Sequence, residues 1–284
     1  MKALVLFDGA GLAAQGLRQA GFETCGVELD PVAHYLARLM LAAETSRVAL
    51  HSEVRLGDVL DLSKRFMNRF DVIWASPPCQ LHSDARTQGG PTGPYAGDLL
   101  QWSLDLAVKF PRKVVWVENV TKQRRRDNNW GRVYNAHQFG VDQNRNRVIG
   151  GRYPAPAVER EYRRAYDGIC PCITATEYKG CATDTRRASR FYGRRLSIYE
   201  CAKHMGLEES VVRDWYDNPM PADAFVQATG KDLTEGRWRR AIYRAIGNGV
   251  PVGMAKAFGA AAARSRIATQ PALPFRARQL ELAL

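Results

Sequence analysis

The stretch "ALVLFDGAGLAAQGLRQAGFETCGVELDP", Ala3 to Pro31, decides the fold. Its first run, Ala3–Phe7, is apolar throughout and stops at "DGAG". A segment of helical character, "LAAQGLRQA", follows, and "TCGVELD" is a second run that ends in acids. Strands apolar on both sides belong in the interior of a parallel sheet, because a half-exposed strand would alternate with polar residues. The pattern then repeats. "PVAHYLARLMLAA" reads as a helix with proline in its first turn. "FDVIWA" and "KVVWVEN" read as strands, with "DLLQWSLDLAVKF" as an amphipathic helix between them. Alternating strands and helices of this kind give an α/β parallel sheet covered on both faces.

Past "QNRNRVIGGRYP" the alternation weakens. Residues 153–235 are rich in arginine and in loop formers and are expected to form a small domain beside a main domain of residues 1–152. The helix-rich segment 236–266 is expected to return to the main domain, and 267–284, with Pro271 and Pro274, to be an extended tail. The formal charge is +12 and the arginines cluster, as at Arg124–Arg126, Arg186–Arg187 and Arg237–Arg240, which points to nucleic acid as the partner. No apolar run approaches the roughly 18 residues of a membrane span. "MKALVLFDGAG" is too soon interrupted by Asp8 to be a signal peptide. A reducing cytoplasm is therefore expected, with the six cysteines as thiols. Cys170, Cys172 and Cys181, with Cys201 or His204, match no usual zinc spacing, so no metal is expected.

In open sheets of this type, ligands bind beyond the carboxyl ends of the strands. Phe7-Asp8-Gly9-Ala10-Gly11 ends the first strand, Glu28 the second, Asp58 follows the third, and Glu118-Asn119 ends the "KVVWVEN" strand. "WASPPCQLHS", Trp74 to Ser83, carries Cys79 immediately after two prolines, which restrict the backbone and hold it out of helix. Taken alone, such a cysteine reads as a buried structural thiol, because buried structural cysteines outnumber reactive ones. "GAGLAAQG" departs from the G-x-G-x-x-G fingerprint, which favours a nucleoside without pyrophosphate over a nicotinamide cofactor.

The blocks "LVLFDGAGLAAQGLRQAGFETCGVELDP", "ASPPCQLHS", "WVENV", "FGVDQNRNRVIGG", "RRLSIYECAKHMGL" and "YRAIGNGVP" occur in this order. In that order the chain resembles the DNA cytosine-5 methyltransferases, above all their short microbial or viral members. The resemblance implies a Rossmann-like sheet for S-adenosylmethionine-dependent methyl transfer, with a small target-recognition domain. It implies a monomer acting on double-stranded DNA and turning the target cytosine out of the stack.

The resemblance also assigns roles. Cys79 would add to carbon 6 of cytosine, making carbon 5 nucleophilic. Glu118 would hold N3 and the exocyclic amine, which requires a proton at the carboxyl or one shared with N3. Arg147 would bind O2, and Arg145 would support a loop or a phosphate. Gln80 and Ser83 would close on the DNA backbone, with Gln143 beside them. On the cofactor side, Phe7 would stack on adenine, and Gly9, Ala10 and Gly11 would lie at the amino-acid moiety. Glu28 would take the ribose hydroxyls and Asp58 the adenine amine, with Pro78 and Asn248 completing the pocket. Arg186, Arg187 or Arg190 would read guanine within a target of roughly two to four base pairs. The chain departs from the family pattern at Leu12, where a glycine is usual, and at Asp142, where a proline is usual. Three other readings share these residues: an RNA cytosine methyltransferase, a DNA enzyme transferring a group other than methyl, and a binding-only relative.

Overall fold

The computed structural model describes residues 1–78, 99–121, 130–161, 169–175 and 195–265. Its centre is a seven-stranded sheet of order β3-β2-β1-β4-β5-β7-β6. The strands are β1 (Lys2–Leu6), β2 (Glu23–Glu28), β3 (Glu53–Leu56), β4 (Val72–Ala75), β5 (Val114–Val120), β6 (Gly131–Asn135) and β7 (Asn146–Arg152). β1 to β5 run parallel, as the apolar runs require. The helices are α1 (Leu12–Gln19), α2 (Pro31–Ala43), α3 (Arg47–Leu50), α4 (Lys64–Met67) and α5 (Leu99–Lys109). They continue with α6 (Ile198–Lys203), α7 (Glu209–Asp217), α8 (Ala222–Thr229), α9 (Glu235–Asn248) and α10 (Val252–Arg264).

Burial follows the two-residue period of the strands. Ala3, Val5, Val72, Trp74 and Trp116 point to the face covered by α1 and α10, where Phe258 meets Trp74 edge-on at 6.0 Å. Leu4, Leu6, Ile73, Ala75, Val115 and Val117 point to the opposite face, against Leu100 and Leu106 of α5. Each large apolar side chain so buried contributes about 1.5–3 kcal/mol.

The end of the sheet differs from the all-parallel reading. β7 runs antiparallel to both neighbours, β5 and β6. The return from β6 is a short connection built around a 3-10 turn at Ala136–Phe139, and a parallel return needs a crossover of a dozen residues or more. This reversal matters for the site, because it brings the first residues of β7 to the edge where β1 to β5 end.

Residues 195–235, expected in the small domain, are helical over most of their length and share a core with the main body. Val212, Trp215, Phe225 and Trp238 pack with Val32, Leu36 and Met40 of α2. The two indoles are also tied down by hydrogen bonds. Trp215 Nε1 donates to Leu36 O at 2.9 Å, and Trp238 Nε1 donates to Trp215 O at 2.7 Å.

Candidate active site

Strand order reverses between β1 and β4, so the crevice expected in an open α/β sheet lies outside their carboxyl ends. On the β1 side the chain turns at once. Phe7 (φ 57), Gly9 (φ 61) and Gly11 (φ 85) are all left-handed, a conformation that glycine adopts freely and phenylalanine only under strain. Glu28 pins this turn: its Oε2 accepts from Gly9 N at 2.7 Å. Its Oε1 accepts from Leu29 N at 2.9 Å and Asp30 N at 2.8 Å. Burial pushes the Glu28 pKa up, against the downward pull of these amides. A Cβ built on Gly9 would meet nothing within 4 Å, so the turn presents bare backbone to open space. Phe7 rests edge-on against Trp102 at 6.2 Å. Asp58 caps the turn after β3, accepting from Leu60 N at 2.9 Å.

Asp8 faces the other way. It is 6% exposed and lies beneath β2, where a Cβ on Gly26 would come within 2.1 Å of its Oδ2. Neither of its carboxyl oxygens has a hydrogen-bond partner among the described residues. Burial raises its pKa to about 7, which Arg18 opposes and Glu28 reinforces.

Beyond β4, Pro77 is buried and Pro78 exposed. Asn119 at the end of β5 donates from Nδ2 to Pro77 O at 3.0 Å, which fixes the chain just before Cys79. Next to it, Glu118 Oε1 meets Arg147 Nε at 2.8 Å, both side chains buried. The pair spans β5 and β7 and exists because β7 is antiparallel. Arg145 precedes it and is 1% exposed. Its guanidinium donates to Ile173 O, to Gly247 O at 2.8 Å and to Gly249 O at 2.9 Å, and its Nη1 lies 3.5 Å from Cys172 Sγ. Burial, then Arg147, lowers the Arg145 pKa to about 10, so it stays charged at neutral pH. Gly247 and Gly249, two of these three acceptors, flank Asn248, which is exposed.

One carboxyl edge thus carries Asp58, Glu28, Phe7, Gly9, Gly11, Pro78, Glu118 and Arg147, in the order of their strands; Ala10 is buried behind the turn. Two expectations need correction. Gln143 is 0% exposed, donating to His204 O at 2.6 Å and accepting from Ile173 N at 3.1 Å, so it clamps three segments and has no surface for DNA. Of the two roles expected of Arg145, a phosphate contact is ruled out by its burial and loop support is left: it holds the turn around Asn248. Leu12, where the family pattern has a glycine, is 1% exposed and lies in the core with α2 and α9. Cys79, Gln80, Ser83, Arg186, Arg187 and Arg190 lie outside the described residues. Sequence reasoning placed Asn119 at the strand end but gave it no role. It also missed Cys172, weighed only as a metal ligand, and the burial of Asp8.

The model of the C-5 cytosine-specific DNA methylase family matches residues 1–153. A search of curated proteins gave no match. Among solved structures, the chain is similar to a mutant DNMT2 of Spodoptera frugiperda, with 12% identity and a TM-score of 0.52 over 90% of this chain and 97% of that one. It is similar to the methyltransferase EhMeth of Entamoeba histolytica, with 12% identity and a TM-score of 0.52 over 90% of this chain and 95% of that one. At such identities the likeness speaks for the fold.

Proposed function

The chain belongs to the C-5 cytosine-specific DNA methylase family, and we propose that it methylates carbon 5 of a flipped-out cytosine in double-stranded DNA, with Cys79 as nucleophile. The observation that carries this reading is the buried Glu118–Arg147 pair beside the Asn119-anchored Pro77-Pro78 segment. A carboxyl and a guanidinium held side by side suit the N3 and O2 edge of one cytosine. Cys79 would add to carbon 6 while Glu118 holds a proton at N3, so that charge is absorbed and carbon 5 gains electron density. Loss of the carbon 5 proton and release of the thiolate would then restore the ring.

The bare turn at Gly9, with the Glu28 carboxylate behind it, fits a nucleoside cofactor. S-adenosylmethionine, when bound, supplies an electrophilic methyl group. Phe7, Gly9, Ala10, Gly11, Glu28, Asp58, Pro78 and Asn248 would hold it. The +12 charge suits a duplex that must be gripped while one base is extruded. Arg186, Arg187 and Arg190 in the small recognition segment would read the site, and the chain would work as a monomer in a bacterial or phage-infected cytoplasm.

The test is to incubate the protein with S-adenosylmethionine and either unmethylated plasmid or RNA, digest to nucleosides and weigh the products. 5-Methyldeoxycytidine is expected. Methylcytidine from the RNA alone would move the substrate, a different added mass would change the transferred group, and no product from either would overturn the reading.

A further inference from the structure

We propose that the exposed face of α9 is a phosphate rail, on which Arg240 and Arg244 hold the backbone of the duplex flanking the target base. The sequence of α9, "EGRWRRAIYRAIGN", divides its residues between two faces. Trp238, Ile242, Tyr243, Ile246 and Gly247 are buried, whereas Arg239, Arg240, Arg244 and Asn248 are exposed. Positions 240, 244 and 248 are four apart, so they form one row that rises about 6 Å at each step. Like charges four apart on a helix repel, so this row costs the fold something and suits a partner of opposite sign. Among the described residues, Arg239, Arg240 and Arg244 have no ion-pair partner, and Arg240 Nε donates to Gly236 O within its own helix at 3.1 Å. Exposed arginines elsewhere do find acids: Arg55 meets Glu53 at 2.8 Å and Arg213 meets Glu209 at 2.6 Å.

Position gives the row its partner. The chain leads into the segment carrying Arg186, Arg187 and Arg190 through Thr174 and Ala175, and leaves it through Arg195 and Leu196. Both approaches rest on α9. A Cβ on Gly247 would come within 2.2 Å of the Thr174 carbonyl carbon, so only glycine lets the incoming chain pass there. One turn earlier, Tyr243 Oη donates to Leu196 O at 3.1 Å, and the positive fields of Arg195 and Arg239 both reach this phenol. At the last turn, Arg145 donates to Gly247 O and Gly249 O, and its guanidinium stands in the field of Arg147 and Glu118. A duplex read by that segment and delivering a base to the Glu118–Arg147 pair would therefore lie against α9. Guanidinium forks bind phosphate oxygens bidentately, which suits this row to a backbone. The inference rests on the duplex substrate proposed above.

The full chain is to be titrated with short fluorescent DNA duplexes by anisotropy, without cofactor, over a series of salt concentrations. In Arg240→Gln with Arg244→Gln, affinity at about 0.1 M salt should fall roughly tenfold to a hundredfold. The slope of log K against log salt should shrink by about 2, one for each phosphate contact. Glutamine and arginine have similar helix propensity, so α9 is kept, and lysine at both positions should restore most of the binding. The loss should be equal on two duplexes of unrelated sequence. The control, Arg55→Gln with Arg213→Gln, removes the same charge from two paired arginines and should leave the slope unchanged. An unchanged slope in the α9 pair, an equal fall in the control pair, or a loss confined to one sequence would overturn the proposal. Wild-type binding with an unchanged slope in the α9 pair defeats this inference alone, whereas a wild type that binds no duplex defeats the proposed substrate with it.

Discussion

The two halves of the carboxyl edge are held together in different ways. The half from β1 to β3 is built from short-range parts: a left-handed turn, glycines, and a carboxylate that accepts from three backbone amides. The half from β4 to β7 is built from distant parts carrying charge: Glu118 with Arg147, Asn119 with Pro77, and Arg145 with Gly247 and Gly249. The first half exposes backbone to a ligand, whereas the second buries ions to fix the ends of segments that have no other reason to meet. Damage to the second half should therefore cost both fold and function, and damage to the first mainly ligand affinity.

The largest effect is expected from breaking the buried ion pair. Glu118→Leu leaves Arg147 buried without its partner and should cost about 3–5 kcal/mol in denaturant titration, with turnover lost. Adding Arg147→Met should restore much of the stability without turnover. If the single substitution cost nothing, the contrast between the halves would collapse.

Asp8 is the exception on the β1 side, because it is buried and its carboxyl oxygens have no hydrogen-bond partner among the described residues. Its folded pKa of about 7 lies above the unfolded value of 3.8, so the folded chain binds the proton more tightly. Its contribution is fully kept below about pH 4 and is lost as pH rises toward 7, on the order of 4 kcal/mol by linkage. Asp8→Asn should raise the melting temperature at pH 8 and flatten its fall between those limits. An unchanged pH profile would place the titration elsewhere.

Glu28→Ala should act on affinity. Loss of a carboxylate that orders the turn and is proposed to meet the ribose should weaken S-adenosylmethionine binding by about 1.5–3 kcal/mol in titration calorimetry. Unfolding of this variant would erase the contrast.

The legibility of the molecule follows the same division. β1, α1 and β2 lie within consecutive residues, so apolar runs and glycines showed them, as the proline in its first turn showed the start of α2, which Asp30 caps. The direction of β7 depended on the shape of a connection, which residue type alone does not give. Gln143 and Arg145 looked like surface residues because polar side chains usually are. Their burial depends on Ile173, His204 and Gly247, whose approach no local pattern announces. The packing of α7 to α9 on α2 was hidden for the same reason.

A smaller effect is expected at Asn119. Asn119→Ala leaves the buried Pro77 carbonyl unpartnered and should cost about 1–3 kcal/mol. Turnover should fall with little change in cofactor affinity, since the anchored segment leads to Cys79. A loss of affinity without a loss of turnover would sharpen the boundary between the halves in a different place.

The most direct measurement is covalent trapping. Duplex DNA carrying 5-fluorocytosine at the methylated position blocks the final elimination. With S-adenosylmethionine, the wild-type protein should form a complex that survives denaturation, and Cys79→Ser should form none. No adduct in the wild type, or an equal adduct in Cys79→Ser, would contradict a cysteine-catalysed attack on cytosine at this edge.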